Sequence, residues 1–213
     1  MTRRSERKSP VAALPKVKPG THAALLYGGD PAAAAEAVAF IAEAIEGRGA
    51  CAVLSYARYG ERVAAQLRDL HAVDVKRSLA DGALVFLETR ESGKELRGEL
   101  VRFLERCRKS RRPARLLLNL GWREEGWPDD DELLSLEAGL SELCAEHDAA
   151  ALCLYDARQL PGSILLDGAL GCHPVVFCRG EALKNPFLVD PAALQRELAA
   201  RKKGEAGLRS WMA

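Results

Sequence analysis

No stretch of this 213-residue sequence approaches the roughly 18 consecutive apolar residues that a membrane-spanning helix needs. The N-terminus is rich in Arg and Lys without an apolar segment behind it, so no secretory leader is expected. The chain is read as cytoplasmic, with no membrane partner. Cysteine is present but unpaired by spacing: the six lie at 51, 107, 144, 153, 172 and 178, with no C-x-x-C pair and no histidine at zinc-finger spacing. Most sit in apolar runs such as Ala50-Cys51-Ala52-Val53-Leu54 and Ala151-Leu152-Cys153-Leu154, where Cys behaves as a small buried hydrophobe. Reduced core thiols are expected, and neither a metal nor a cofactor. Net charge is nearly absent too, with 31 Lys and Arg against 30 Asp and Glu. At 48% hydrophobic and 29% charged residues, the composition excludes disorder, collagen and coiled-coil arrays and is that of a globular domain with a sizeable core.

The charge that is present is segregated. Residues 1–18 carry six basic side chains and one acidic, residues 196–213 five and two, so the middle is acidic. Basic ends of this kind suit phosphate backbones, acidic lipids or an acidic protein, and equally suit solvated termini. Pro10, Pro15 and Pro19 punctuate the first 20 residues, which read as a loose arm. A folded unit over 21–190 follows, then a helix and basic tail over 191–213. In that tail Trp211 sits among basic residues, either as an anchor for a partner or tucked against its own domain.

Short apolar runs at His22–Tyr27, Cys51–Tyr56, Ala83–Glu88, Arg115–Leu120, Ala150–Tyr155 and Pro174–Cys178 read as strands. Helical patterns at about 31–47, 60–70, 94–109, 131–147, 162–170 and 191–203 separate or follow them. Such alternation predicts an α/β fold, a mainly parallel sheet covered by helices on both faces. Leu96, Leu100, Phe103, Leu104 and Cys107 form one helical stripe; Leu133, Leu136, Leu140, Leu143, Cys144 and His147 form another. Glu137 falls at the edge of the second stripe, where a carboxylate needs a partner.

Ligands of open α/β sheets bind outside the carboxyl ends of the strands. The first such turn reads Leu26-Tyr27-Gly28-Gly29-Asp30-Pro31-Ala32-Ala33, without the Lys and Ser/Thr of a phosphate loop, and Asp30 is placed to cap the next helix. The fourth strand ends in Asn119 where an acidic residue would help hold magnesium. Gly162-Ser163 lacks the pattern of a nucleophile elbow, no H-E-x-x-H exists, and Asp129–Glu132 reads as a helix cap. A non-enzymatic protein is expected.

His22 with Tyr27, Glu137, the run Cys153-Leu154-Tyr155-Asp156-Ala157-Arg158, His173-Pro174 and Asn185-Pro186-Phe187 together resemble the MEDS domain, the sensory domain named for methanogens, methylotrophs and the DcmR repressor. The likeness spans about residues 20–190. It implies a RecA/KaiC-like fold without a working phosphate loop, used to sense small organic molecules, including hydrocarbon derivatives, and often joined to DNA-binding or kinase-like output domains. No such output domain is recognisable here, so the signal is expected to pass to a partner protein, a homo-oligomer or the tails. The resemblance makes His22, Tyr27, Glu137, Tyr155, Asp156, Arg158 and His173 the candidate ligand-binding residues. The alternative for the same set is a buried polar network that pins the strand ends.

Two rival readings stand beside this one. Arg3-Arg4-Ser5-Glu6-Arg7 has an R-x-x-x-R spacing similar to the arginine element of PilZ-type cyclic di-GMP receptors, so Arg3, Arg4 and Arg7 are candidate phosphate ligands for a nucleotide. Non-specific nucleic-acid contact by the tails belongs to the same class. The other rival is a degenerate RecA-like NTPase or another enzyme whose nucleophile the sequence hides.

Overall fold

A computed structural model describes residues 17–29 and 31–212, the side chains of 31–34 and 205–212 excepted. Arg3, Arg4, Arg7, the capping role of Asp30 and the placement of the Trp211 side chain lie outside the described residues. The strands are β1 (His22–Tyr27), β2 (Ala50–Ser55), β3 (Leu84–Leu87), β4 (Ala114–Asn119), β5 (Ala150–Asp156), β6 (Val175–Cys178) and β7 (Glu181–Lys184). The helices are α1 (Pro31–Glu46), α2 (Ala57–His71), α3 (Val75–Ala80), α4 (Gly93–Ser110), α5 (Asp130–His147), α6 (Gly162–Ile164) and α7 (Pro191–Met212), with a π-helical turn over Leu165–Leu170.

The seven strands run in the order β3-β2-β4-β5-β1-β6-β7, all parallel except β7, which pairs antiparallel with β6. Every residue of β2 is buried, as is nearly all of β5, which is what a strand covered on both faces requires. Alternation along the strands sorts the side chains into two cores. Ala24, Leu116, Leu118, Cys153, Tyr155 and Val176 belong to the one containing the apolar stripes of α4 and α5. Ala23, Leu25, Leu117, Leu152, Leu154 and Phe177 belong to the other, with Val38 and Ile41 of α1 and Val63 and Leu67 of α2. The mainly parallel α/β architecture thus follows from the alternation of apolar runs and amphipathic helices.

The helix starts are chemically set. Ser92 accepts from the N–H of Glu95 at the head of α4, and Asp129 accepts from the N–H of Glu132 at the head of α5. Glu132 in turn accepts from the N–H of Gly93, tying the two helix starts together. The segment expected as a helix over 162–170 is instead one α-turn followed by the π turn, in which Gly171 donates to Leu166 five residues back. The short α3 and the edge strand β7 were not foreseen. No helix among the described residues is long and apolar enough to cross a membrane.

Candidate functional site

Four of the candidate residues meet in the interior, beneath the sheet rather than outside its carboxyl ends. His22 opens β1, Glu137 lies mid-way along α5, Tyr155 is on β5, and His173 precedes β6. His22 Nε2 faces Glu137 Oε2 at 3.1 Å and Cys153 Sγ at 3.3 Å, while its Nδ1 pairs with Ser141 Oγ at 3.2 Å. His173 Nε2 is 3.3 Å from the same Glu137 Oε2, and its Nδ1 donates to the Gly168 carbonyl at 3.0 Å. The two imidazole rings lie 3.9 Å apart, and Tyr155 meets His173 edge-on at 5.5 Å. His22, Glu137, Cys153 and His173 are each no more than 1% exposed.

Local structure holds each ring in place. The π turn brings Gly168 against Tyr155: a Cβ there would stand 3.0 Å from the phenol oxygen. Asn185 donates from Nδ2 to the carbonyls of Leu170 and His173 and accepts from the Phe187 N–H, clamping the loop that carries His173. Glu137 and Ser141, four residues apart, present both polar groups from one face of α5.

The electrostatics are those of a dry site. Burial and the neighbouring His173 lower the His22 pKa to about 4, against the opposing pull of Glu137. Burial alone would raise the Glu137 carboxyl, but the two imidazoles outweigh it and hold the group below the usual carboxylate range. Burial, then the Glu137 charge, push the Cys153 thiol and the Tyr155 phenol well above their ordinary values. Three polar atoms here have no hydrogen-bond partner among the described residues: Glu137 Oε1, His173 Nε2 and the Tyr155 hydroxyl. One ligating atom each from His22, Glu137, Cys153 and His173 lies within 4.8 Å of all the others, a spacing that could hold a metal ion.

Tyr27, Asp156 and Arg158 do not join this cluster, and Tyr27 lies on the opposite side of the sheet from Tyr155. Tyr27 packs with the opposite core, and burial, with Asp156 second, raises its pKa to about 12. Together with Tyr56, Asn119, Trp122, Glu124, Asp156 and others it lines a cleft of about 150 Å³. Asp156 accepts from the Arg158 N–H and from Gln159 Nε2, so its contact with Arg158 is through the backbone. The Arg158 guanidinium lies over Gly28-Gly29, where a Cβ on Gly29 would come within 3.0 Å of it.

A second cleft, of about 430 Å³, opens beside the carboxyl ends of β2 and β3. Its walls include Val53, Tyr56, Ala64, Phe86 and Leu87, with Ser55, Glu61, Glu88 and Thr89 as polar groups. Sequence reasoning ended strands at Tyr56 and Glu88 but did not bring the two strand ends together. It missed Ser141 and the inward-facing role of Cys153. The i, i+4 spacing of Glu137 and Ser141 was the available signal for Ser141; for Cys153 the apolar run masked it.

The family model for the MEthanogen/methylotroph, DcmR Sensory domain matches residues 21–174. No curated protein matches the chain. Among solved structures, the chain is similar to a KaiC-like protein of the hyperthermophilic archaeon Pyrococcus horikoshii, at 14% identity and a TM-score of 0.54 over 74% of this chain and 71% of that one. It is also similar to the flagellar accessory protein FlaH of Methanocaldococcus jannaschii, at 12% identity and a TM-score of 0.52 over 78% of this chain and 76% of that one. At these identities the two likenesses speak for the fold.

Proposed function

The chain belongs to the MEDS family of sensory domains, and on that premise we propose that it is a non-enzymatic receptor for a small organic molecule, which it takes up in the cleft beside β2 and β3 and reports to a partner protein. The cleft itself carries this reading. Its volume of about 430 Å³ lies in the range of small-molecule sites, and its walls are mostly aliphatic and aromatic with a few polar groups to orient a ligand. Its lining contributes no histidine, cysteine or lysine, and Ser55 Oγ is spent on the Tyr56 carbonyl, so it offers a binding surface without an activated nucleophile. The β1–α1 turn lacks the phosphate-loop Lys and Ser/Thr, and Arg158 lies over its two glycines. Both features favour a receptor over a nucleotide hydrolase.

Calorimetry with a panel of short alcohols, ketones and aromatic acids, with ATP and cyclic di-GMP alongside, tests this. A saturable heat from a panel member, weakened at least tenfold by filling the cleft with Ala64→Phe, is the expected result. Tight nucleotide binding that is lost on Arg3→Ala/Arg7→Ala would replace it with the arm-based receptor, and steady ATP turnover by the folded protein would overturn it.

A further inference from the structure

The interior cluster brings four metal-ligating side chains to one point in the core, each of their ligating atoms within 4.8 Å of the others. The Gly168 carbonyl can only accept, so the Nδ1 of His173 carries a proton there. A neutral ring would then turn a bare Nε2 lone pair on the Glu137 carboxylate 3.3 Å away, a contact that only a cation, the ring's own second proton or a metal ion, makes favourable. His22 directs its own Nε2 at the same oxygen and at Cys153 Sγ. Four donors converge on one point from which solvent is excluded, and an anion sits among them with no Lys or Arg at hand. A positive charge between them removes the conflict.

We propose that His22 Nε2, Glu137 Oε2, Cys153 Sγ and His173 Nε2 form a closed, four-coordinate site for one divalent transition-metal ion of the zinc class. Zinc–nitrogen and zinc–oxygen bonds of about 2.0–2.1 Å in a tetrahedron set donor–donor edges near 3.3 Å, and those to sulfur slightly longer. The recorded separations of 3.1, 3.3 and 3.3 Å lie close to those edges, and the remaining pairs fall within 4.8 Å. Outer contacts match as well: each imidazole has its Nδ1 engaged, one by Ser141 Oγ and one by the Gly168 carbonyl, which aims both Nε2 atoms inward. Two nitrogens, a carboxylate and a thiolate suit zinc or cobalt and disfavour magnesium or calcium. As the metal–sulfur bond forms, Cys153 gives its thiol proton to bulk base, and thiolate plus carboxylate then balance the ion's charge. With all four positions filled by protein, the ion acts as a staple joining β1, α5, β5 and the approach to β6.

The full-length protein, stripped of metal and reloaded with cobalt, tests this. One cobalt per chain is expected, with the intense visible bands of tetrahedral cobalt and a near-ultraviolet sulfur-to-cobalt band. Cys153→Ser, nearly isosteric, should lose the sulfur band and weaken cobalt uptake at least tenfold; Glu137→Gln should weaken it similarly while keeping the sulfur band. His71→Gln, remote from the cluster, should change neither. Native circular dichroism with no cobalt or zinc uptake would overturn the proposal, as would uptake whose spectrum is indifferent to Cys153→Ser and Glu137→Gln. If Cys153→Ser does not fold, wild-type protein decides: zinc must raise its melting temperature, and no rise refutes the site.

Discussion

Asn185 satisfies two buried carbonyls, of Leu170 and His173, with one amide. Asn185→Ala should leave both unpaired and cost about 1–3 kcal/mol, read as a lower midpoint in urea unfolding. The same position carries part of the MEDS resemblance, yet nothing in the sequence says what the amide holds. Glu137 is the opposite case. Its place at the edge of an apolar stripe already demands a partner, and the structure supplies two imidazoles. Cys153 could not be recognised in the same way, because a thiol within Ala151-Leu152-Cys153-Leu154 has the appearance of any small core residue. Donors drawn from four separate segments also leave no spacing pattern to find.

Helices and strands show where periodicity suffices. Leu96 through Cys107 and Leu133 through Cys144 lie in the core as their stripes require. A 3.6-residue pattern cannot distinguish a π turn from an α-helix, so the 162–170 segment was legible only as helical. All four residues of β7 are exposed, which leaves no apolar alternation to read. Its hairpin is set instead by Arg179 and Gly180, both at positive φ, a two-residue turn matched to the twist of the strands. Helix α2 ends on a non-glycine residue in the left-handed region, Ala72 at φ 53°. Ala72→Gly removes that penalty at an exposed site and should stabilise the protein by about 0.5–1 kcal/mol, net of the entropy glycine adds to the unfolded chain. A raised thermal midpoint would show it.

At the scale of the molecule, the parallel sheet and its two cores follow from patterning, whereas the sensory role came from the resemblance and is supported by the family match. Periodicity alone leads only to a parallel sheet whose carboxyl edge is the place for a ligand. It divided neither the clefts nor the buried cluster, because which strands are neighbours is not written locally. Helix α7 is integral to the described fold: Leu194 and Leu198 are buried in the α5-side core, and Arg201 and Lys202 reach Asp167 and Glu132. Deleting residues 191–213 should therefore cost at least the roughly 2–5 kcal/mol of a truncated core leucine, measured by chemical denaturation.

The strand order has a temporal consequence. β1 is flanked by β5 and β6, so this strand has no sheet neighbour until synthesis has passed residue 150. His22 and Glu137 are 115 residues apart, an interval on the order of ten seconds at about 5–20 residues per second of translation. Throughout that wait the nascent segment Ala23-Ala24-Leu25-Leu26 exposes an apolar strand with unpaired edges, which makes it the stretch of this protein where a chaperone would have most reason to bind.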